Sequence, residues 1–387
     1  MKIVSVEPTR VGQFLFARVK AEGGFVGIGE AGAWGHIEAA EAALAKFGGY
    51  LAGRDARQIE HHWNVMHRFA YFQGHAINAA ISAIDVALWD IKGQALGAPI
   101  HELIGGPIRR RARVYGHAYD RTPQGVADRC ATLKAEGFTA IGHLNPFLDE
   151  GEEVPLAKTH NRFIGDAVAN IALFRETVGD DCDLLIELHR RLTRAEALRF
   201  LRDIEIHRPM WAEDPIRPED IDGMGDVAAA SPVPIATGER FIGLHQFQAL
   251  FARRGCHFAR VSLGVCGGIT GARKVAALAE AHGVQVAPHS PLSPVSLAAC
   301  LQLAAAIPNF AIQEFTTGLE NHELVSGTNL LGHDIVDWRP KVIDGFVEIP
   351  EGPGLGVALL PDAADRRSLA TKPVLMRAYA DGSPCDQ

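Results

Sequence analysis

The chain has 387 residues, of which 47% are hydrophobic and 22% are charged, and its formal net charge is −8. This length suffices for two domains, or for one barrel with an appended domain. The negative charge disfavours nucleic acid as a partner, and the lack of any apolar run of about 18 residues argues against a membrane partner.

The cysteines and the N-terminal residues indicate a cellular location. Six cysteines are scattered through the sequence, with no CxxC motif and no regular spacing. In a chain of this size they are typical of reduced thiols. The opening "MKIVSVEPTRVG" predicts a strand and a turn, and it lacks the apolar core of a signal peptide. We therefore expect a soluble, cytoplasmic globular protein.

Residues 1–110 predict a small α+β domain. The segment "FLFARVKAEGGFVGIGEAG" alternates apolar and polar residues around a Gly-Gly pair, which is typical of a β-hairpin. The segment "HAINAAISAIDVALWDIKGQALG" has apolar residues at helical spacing and ends at Gly97, before Pro99. These features predict a domain separate from the repeating pattern that follows.

From residue 111 onward, eight short apolar runs recur, and each ends in polar residues. The runs are "RARVYGHA", "FTAIGHLN", "CDLLIELHRR", "PMWAEDP", "PVPIATGER", "FARVSLG", "VQVAPHS" and "NFAIQEF". Glu187, Glu213 and Glu239 follow one another at intervals of 26 residues. The intervals between the polar ends of the other successive runs are 23 to 27 residues, except for the longer interval from His143 to Glu187. A strand of about 5–6 residues, a helix of about 11–12 and two loops give this period.

Eight strands at one period predict a closed parallel barrel over residues 111–330. The longer step from His143 to Glu187 predicts an insertion at roughly Pro146–Asp166. The tail, residues 331–387, has strand and turn signals but not the barrel period, and we expect it to pack on the first domain.

Three glutamates end three consecutive strands, so their carboxylates should converge at the active-site face of the barrel. Glu187, Glu213 and Glu239 would repel one another unless a cation lies among them. Oxygen ligands suit a hard cation such as Mg²⁺. The alternative is a salt-bridged cluster with Arg190, Arg191 or Arg240.

Two histidines follow the third and the seventh strands, on opposite sides of an eight-stranded ring. His189 and His289 could therefore act on the two faces of one ligand, one removing a proton and the other donating one. Side chains two apart on a strand share a face, so Glu187 and His189 should point the same way. A cation, bases on both faces and no nucleotide motif favour proton abstraction beside a carboxylate, followed by loss of water or by epimerisation.

Together these motifs resemble the enolase superfamily, and within it the acid-sugar dehydratases of the mandelate-racemase-like group, the galactonate and mannonate dehydratases in particular. The similar segments run nearly end to end and include "AISAIDVALWDIKGQALGAPIHELIGG", "ELHRRLTRAEALRFLRDIEIHRPMWAEDP", "ATGER", "CGGIT", "APHSPLSPVSLAAC", "IPNFAIQEF" and "GPGLGV". The resemblance implies a modified TIM-type (β/α)7β barrel, with an α+β capping domain built from the N-terminal segment and the C-terminal tail. It also implies an even-numbered homo-oligomer, often an octamer.

By position, the resemblance assigns Glu187, Glu213 and Glu239 as Mg²⁺ ligands and His189 as the acid for the departing 3-hydroxyl. It assigns His289 as the base at C2 or as the counterpart of that base. Capping-domain loops at Ala31–His36 and Tyr71–His75 would cover a sugar-acid substrate. We expect further substrate contacts from Glu314, Asn145, His143, Arg260 and Trp34.

The sequence departs from the family pattern at three positions, one of which is His143 in "GHLN" of the second strand, where a lysine is common. The first metal ligand is usually Asp, and here it is Glu187. Members that use the seventh-strand His as base pair it with an Asp on the sixth strand, where this chain has Ser262. The preferred function is Mg²⁺-dependent dehydration of a sugar acid such as galactonate, gluconate or mannonate to a 2-keto-3-deoxy acid. An epimerase or cycloisomerase, and a sugar-acid-binding protein without catalysis, remain alternatives.

Overall fold

The computed structural model describes residues 1–148, 154–316, 332–374 and 376–386. Among the helices in these ranges, none combines the length and the apolar character needed to cross a membrane. All six cysteines lie in these ranges, where each is buried and none forms a disulfide.

The N-terminal residues form a three-stranded antiparallel sheet covered by helices. Its strands, in the order β1-β2-β3, are β1 (Ile3–Val11), β2 (Phe14–Ala21) and β3 (Val26–Glu30). The helices that follow are α1 (Ile37–Leu51), α2 (Ile59–Arg68), α3 (His75–Leu96) and the short α4 (Ile100–Leu103). The predicted hairpin and the predicted helix ending at Gly97 are both present, and Gly97 takes the left-handed conformation (φ 65°) common at helix ends.

Strand β3 packs unusually close to helix α3, and glycine makes this approach feasible. A Cβ atom added to Gly27 would lie 2.0 Å from the carbonyl oxygen of Ala87, and one added to Gly29 would lie 2.1 Å from that of Ala83. These distances are far inside van der Waals contact. The alternation of glycine in "VGIGE" therefore fixes how the sheet lies on the helix.

Eight parallel strands form the barrel that the period predicts. Each strand pairs with its neighbour in chain order and the last pairs with the first. One parallel bridge, Val286 to Phe310, closes the ring between the seventh and eighth strands. The strands are β4 (Arg111–His117), β5 (Ala140–Leu144), β6 (Asp183–Glu187), β7 (Trp211–Glu213), β8 (Ile235–Thr237), β9 (Phe258–Ala259), β10 (Gln285–Val286) and β11 (Gln313–Phe315).

Within the described residues, seven α-helices connect these strands, which gives the (β/α)7β order. They are α5 (Pro123–Ala135), α6 (His160–Val178), α7 (Arg194–Asp203), α8 (Ile221–Ala230), α9 (Leu244–Ala252), α10 (Gly268–Ala281) and α11 (Pro294–Ala306). The predicted insertion at 146–166 is shorter than expected because α6 already begins at His160. Its residues 149–153 lie outside the described part of the chain.

Strand β6 illustrates how the sequence fills both faces of the barrel wall. Leu184 and Ile186 belong to the main core, with the surrounding helices, whereas Leu185 belongs to the inner cluster with Tyr115 and Trp211. Side chains alternate along a strand, so Glu187 continues the inward row one step above Leu185. The barrel interior is therefore apolar below and carries carboxylates at its mouth.

Buried carboxylates fasten the N-terminal domain to the barrel helices. Glu30 accepts a hydrogen bond from the backbone N–H of Ser293 (3.0 Å), which caps α11. Asp85 accepts one from the N–H of Thr270 (2.9 Å), in the first turn of α10. Burial raises the pKa of Glu30 to about 7 and that of Asp85 to about 7, although these hydrogen bonds oppose the shift.

The C-terminal tail contacts both parts of the molecule. The N–H of Leu355 donates to Asp90 of α3 (2.9 Å), as expected for a tail that returns to the first domain. A contact that the sequence did not predict is β12 (Phe346–Glu348), which pairs antiparallel with β4 of the barrel. The predicted boundaries at 110 and 330 remain predictions.

Candidate active site

Three glutamates converge at the C-terminal ends of neighbouring barrel strands. One carboxylate oxygen from each of Glu187, Glu213 and Glu239 lies within 4.8 Å of the other two. Parallel pairing places Glu187 of β6 directly beside Glu213 of β7, and Glu239 follows β8 by two residues. Glu187 and Glu213 are buried, whereas Glu239 is half-buried.

The electrostatics of this cluster call for a cation. Burial raises the pKa of Glu187 well above its usual range, and the charges of Glu213, Glu239 and Asp214 raise it further. Burial likewise raises the pKa of Glu213 to about 8, although the guanidinium of Arg260 opposes the shift. Four carboxyl groups this close cannot all ionise without a compensating positive charge. An oxygen-only donor set of this kind fits a hard dication such as Mg²⁺.

His189 lies beside Glu187, but not because both residues share a strand face. Strand β6 ends at Glu187, and His189 takes a left-handed backbone conformation with φ 46°. Glu187 accepts a hydrogen bond from the N–H of His189 (2.9 Å), and its Oε1 lies 3.9 Å from the ring Nε2. The predicted proximity is therefore present, but a tight turn produces it.

Strained backbone is concentrated at this mouth of the barrel. His143, His189, Arg190 and Asp214 have φ values of 51°, 46°, 58° and 42°. Each non-glycine residue in this region costs roughly 1–2 kcal/mol, and such residues cluster at functional sites. His143 lies within the end of β5, His189 and Arg190 follow β6, and Asp214 follows β7. The strained backbone is therefore next to the carboxylate cluster.

His289 reaches the cluster from the seventh strand. Its Nε2 lies 3.2 Å from Oε2 of Glu239, and its backbone N–H donates to the carbonyl of Val261 (3.0 Å). Ser262 pairs with His289 through a parallel backbone bridge. Glu239 therefore faces Nε2 of His289, whereas the buried Nδ1 of His289 has no hydrogen-bond partner among the described residues.

Burial lowers the pKa of His189 to about 4. The positive charges of Arg190 and Arg191 act in the same direction, and the carboxylate of Glu239 opposes them. The ring is therefore neutral near pH 7 in the free protein. A bound anionic ligand would raise this pKa, because a nearby negative charge favours the imidazolium.

Arg260 lies inside the barrel beneath the carboxylates and is fully buried. Its guanidinium donates to Glu213 (2.6 Å), to Glu314 (2.7 Å) and to the hydroxyl of Tyr115 (2.8 Å). This position favours an internal structural role over the substrate contact that we predicted. Burial would raise the pKa of Glu314, but Arg260, with His289 and His117, holds it well below its usual range.

Two further residues that we predicted to contact substrate are His143, which lies beside His189, and Asn145, which lies in a local turn. The half-buried ring of His143 lies 4.8 Å from that of His189, centroid to centroid. Burial, then the charges of His189 and His117, lower the pKa of His143 well below its usual value. The side-chain oxygen of Asn145 accepts a hydrogen bond from the N–H of Phe147 (2.8 Å) in a local turn.

Both capping-domain loops reach the barrel mouth. The N–H of Gly32 donates to the carbonyl of Gly264 (3.0 Å), just beyond β9. His75 lies with Nε2 2.7 Å from the carbonyl of Arg240, next to Glu239. Trp34, on the first loop, is 55% exposed and its ring faces Lys372 at 4.7 Å. The loops are in place, while the predicted contact of Trp34 with substrate remains a prediction.

Sequence reasoning missed two residues that shape the site. Tyr115 precedes His117 by two residues, so the same-face rule could have placed both inside the barrel. Asp386 forms ion pairs with Arg190 (3.5 Å) and Arg217 (2.6 Å). Nothing in the tail sequence signals this contact, because it depends on how the last residues fold back.

Comparison with known proteins places this site in a family. The model of the mandelate racemase / muconate lactonizing enzyme N-terminal domain matches residues 3–105, and that of the enolase C-terminal domain-like family matches residues 126–363. The chain belongs to the mandelate racemase-like group of the enolase superfamily. The predicted fold and family are thereby confirmed.

Individual relatives cover nearly the whole chain. A D-galactonate dehydratase of Xanthomonas campestris pv. campestris (strain B100) is 34% identical over 92% of this chain and 91% of its own length. The crystal structure of an enolase from Agrobacterium radiobacter, with bound Na and L-malate, superimposes with a TM-score of 0.90 at 28% identity and covers 100% of both chains. The crystal structure of a mandelate racemase/muconate lactonizing enzyme from Jannaschia sp. CCS1 superimposes with a TM-score of 0.86 at 29% identity and covers 97% of this chain and 99% of its own.

Proposed function

We propose that this superfamily member dehydrates a sugar acid, an aldonate such as galactonate, gluconate or mannonate, to the 2-keto-3-deoxy acid with Mg²⁺. The enzyme class, a hydro-lyase acting on sugar acids, follows from the family and from relatives named D-galactonate dehydratase. The observation that carries the proposal is the carboxylate cluster with a histidine at each side. The substrate and the metal are the new parts of the proposal.

Glu187, Glu213 and Glu239 would hold the metal. A bound Mg²⁺ supplies positive charge to the substrate carboxylate, beside which negative charge collects when the C2 proton leaves. The solved relative that holds Na and L-malate supports a site for a cation and a hydroxy acid. Arg260, behind Glu213, keeps that carboxylate in position through a 2.6 Å hydrogen bond.

His289 would remove the C2 proton, with its Nε2 beside Glu239 to stabilise the imidazolium that results. His189, from the opposite side of the ring, would donate a proton to the departing 3-hydroxyl. It can do so once the anionic substrate raises its pKa from about 4. The proton removed from C2 and the proton given to the hydroxyl balance, and water leaves. The enol that remains loses its hydroxyl proton and takes up a solvent proton at C3, which gives the 2-keto-3-deoxy acid.

A second candidate is epimerisation of a sugar acid, and the opposed placement of His189 and His289 favours it. The same groups would remove a proton from one face of C2 and return one to the other, without loss of water. The two functions differ in product. Dehydration forms a 2-keto-3-deoxy acid, whereas epimerisation returns a sugar acid of the original mass.

The test incubates the full chain with Mg²⁺ and a library of hexonates, pentonates and hexarates, and assays for 2-keto-3-deoxy product. His189→Asn should abolish the product, and Glu213→Gln should lose activity together with Mg²⁺ binding. His245→Asn, an exposed histidine on α9, is the matched control and should retain both. Bound Mg²⁺ with no product from any acid would contradict dehydration and favour epimerisation or a binding function.

We also propose that the protein is an even-numbered homo-oligomer, such as an octamer, in the cytoplasm. The family resemblance supports this assembly, and the negative net charge argues against nucleic acid as a partner. Light scattering on the purified protein would give the mass of the assembly, and a monomer of 41.7 kDa would contradict the proposal.

A further inference from the structure

A second group of potential metal ligands lies at the barrel mouth, on the three strands next to the glutamate cluster. His117 ends β4, His143 lies within the end of β5, and Glu314 lies in β11. These strands are neighbours in the ring, with β4 in the centre. One potential ligand atom from each residue lies within 4.8 Å of the others.

His117 is fully buried, yet both of its ring nitrogens lack a hydrogen-bond partner among the described residues. Oε1 of the buried Glu314 lacks one as well. Nε2 of His117 and this oxygen are only 3.0 Å apart, so they form an ion pair when the imidazole is protonated, and a shared cation would take the place of that proton. With the imidazole unprotonated, these buried polar atoms would lack partners, which is costly. A shared cation would give both atoms a partner.

The orientation of each group is fixed by its surroundings. Oε2 of Glu314 accepts from Arg260 (2.7 Å) and from the N–H of Ser290 (2.7 Å), which leaves Oε1 for a ligand. The ring of His117 stacks between those of Tyr115 and His143, with centroids 5.7 Å and 5.0 Å away. Two donors bound to one ion at about 2.1 Å lie about 3.0–3.4 Å apart, close to the separation of Nε2 and Oε1.

We propose that His117, His143 and Glu314 form a second cation site, for a first-row transition-metal dication such as Zn²⁺. Two imidazoles and one carboxylate suit these ions, whereas Mg²⁺ prefers oxygen ligands alone. The two sites therefore select different metals by donor type. The inference does not depend on the proposed dehydration, because it concerns donors that the glutamate cluster does not use.

His143 is also within ligand distance of Glu187 and His189, so the two sites are neighbours. His117 belongs to the second site alone and has no place in the proposed catalytic machinery. It is therefore the residue whose change separates the two sites.

The test strips the full-length protein of metal, saturates it with Mg²⁺ and titrates it with Co²⁺, whose visible absorption reports its coordination geometry. We expect about one equivalent of Co²⁺ to bind without displacing Mg²⁺. His117→Gln should weaken Co²⁺ binding about 100-fold or more, since loss of even a supporting residue costs 10–100-fold. His62→Gln, at an equally buried histidine of the first domain, is the control and should leave Co²⁺ binding unchanged.

Three results would overturn the proposal: no Co²⁺ binding once Mg²⁺ is saturating, displacement of Mg²⁺ by the bound Co²⁺, or unchanged Co²⁺ binding in His117→Gln. If that variant fails to fold, X-ray absorption on the Zn²⁺-loaded wild type decides instead. The proposal requires two imidazole ligands and a carboxylate oxygen, and a shell of oxygen alone would refute it. Because these readouts are metal affinity and spectra, a failure of sugar-acid turnover would leave this result unaffected.

Discussion

Replacing Arg260 by Met tests whether this buried guanidinium supports the site from within the barrel. The change removes hydrogen bonds to Glu213, Glu314 and Tyr115 at 2.6–2.8 Å, while methionine fills much of the volume. Removing one partner of a buried ion pair costs about 3–5 kcal/mol. Since two carboxylates lose the same partner, we expect a loss near the upper end of that range at pH 8.

The loss should depend on pH in a definite direction. Without Arg260, the pKa of Glu213 in the folded variant rises further above its unfolded value, and the pKa of Glu314 rises because it loses the guanidinium that holds it low. A carboxyl group whose pKa is raised in the folded state adds to the stability of the fold at low pH, where it is protonated. This contribution is lost as the pH rises through that pKa. The destabilisation caused by Arg260→Met should therefore be smaller at pH 5.5 than at pH 8.

The assay is urea unfolding followed by circular dichroism at both pH values, without added metal. Arg217→Met is the control, because this exposed arginine pairs with Asp386 at the surface, where an ion pair contributes at most about 1 kcal/mol. Equal losses in the two variants, or a loss for Arg260→Met that is the same at both pH values, would refute the reasoning. A rise in KM with unchanged stability would instead restore Arg260 as a substrate contact.

Three further predictions concern the fold and the metal. Glu30→Gln should reduce the fall in melting temperature between pH 5 and pH 8. The reason is that the pKa of Glu30 is raised to about 7, so its ionisation in that range opposes folding. An equal fall in melting temperature in the variant and the wild type would contradict this. Gly27→Ala should lower the free energy of unfolding by about 1–3 kcal/mol through overlap with Ala87. The control Gly49→Ala, in helix α1 with nothing within 4 Å of the added Cβ, should instead raise it by up to about 1 kcal/mol, because alanine is the better helix former. Glu187→Asp should weaken Mg²⁺ binding measured by calorimetry. The shorter side chain withdraws the carboxylate from a site whose other ligands are placed for Glu187. Tighter binding would show that the site favours the family's usual Asp.

The sequence predicts the fold well because each barrel strand ends in polar residues at a nearly constant spacing. The intervals that contain Glu187, Glu213 and Glu239 reflect a physical repeat of strand, loop, helix and loop. Inward and outward alternation then places these glutamates at the barrel mouth. Both the barrel and the convergence of the three carboxylates follow from that pattern.

The remaining details of the site depend on geometry beyond the strand ends. His189 approaches Glu187 through a left-handed turn, and no rule of alternation predicts such a turn at a histidine. The inward direction of Arg260 depends on pairing with Glu314, which is 54 residues away along the chain. The contact of Asp386 with Arg190 depends on the path of the tail. These features arise from tertiary contacts, so local sequence patterns do not encode them.

Turnover of sugar acids in D₂O with Mg²⁺, followed by NMR, tests the central claim most directly. The account predicts a 2-keto-3-deoxy acid with solvent deuterium at C3, formed by the wild type and not by His189→Asn. Recovery of a sugar acid with deuterium at C2 and no loss of water would contradict dehydration and identify an epimerase. Unlabelled substrates throughout, with Mg²⁺ bound, would contradict proton abstraction at this site altogether.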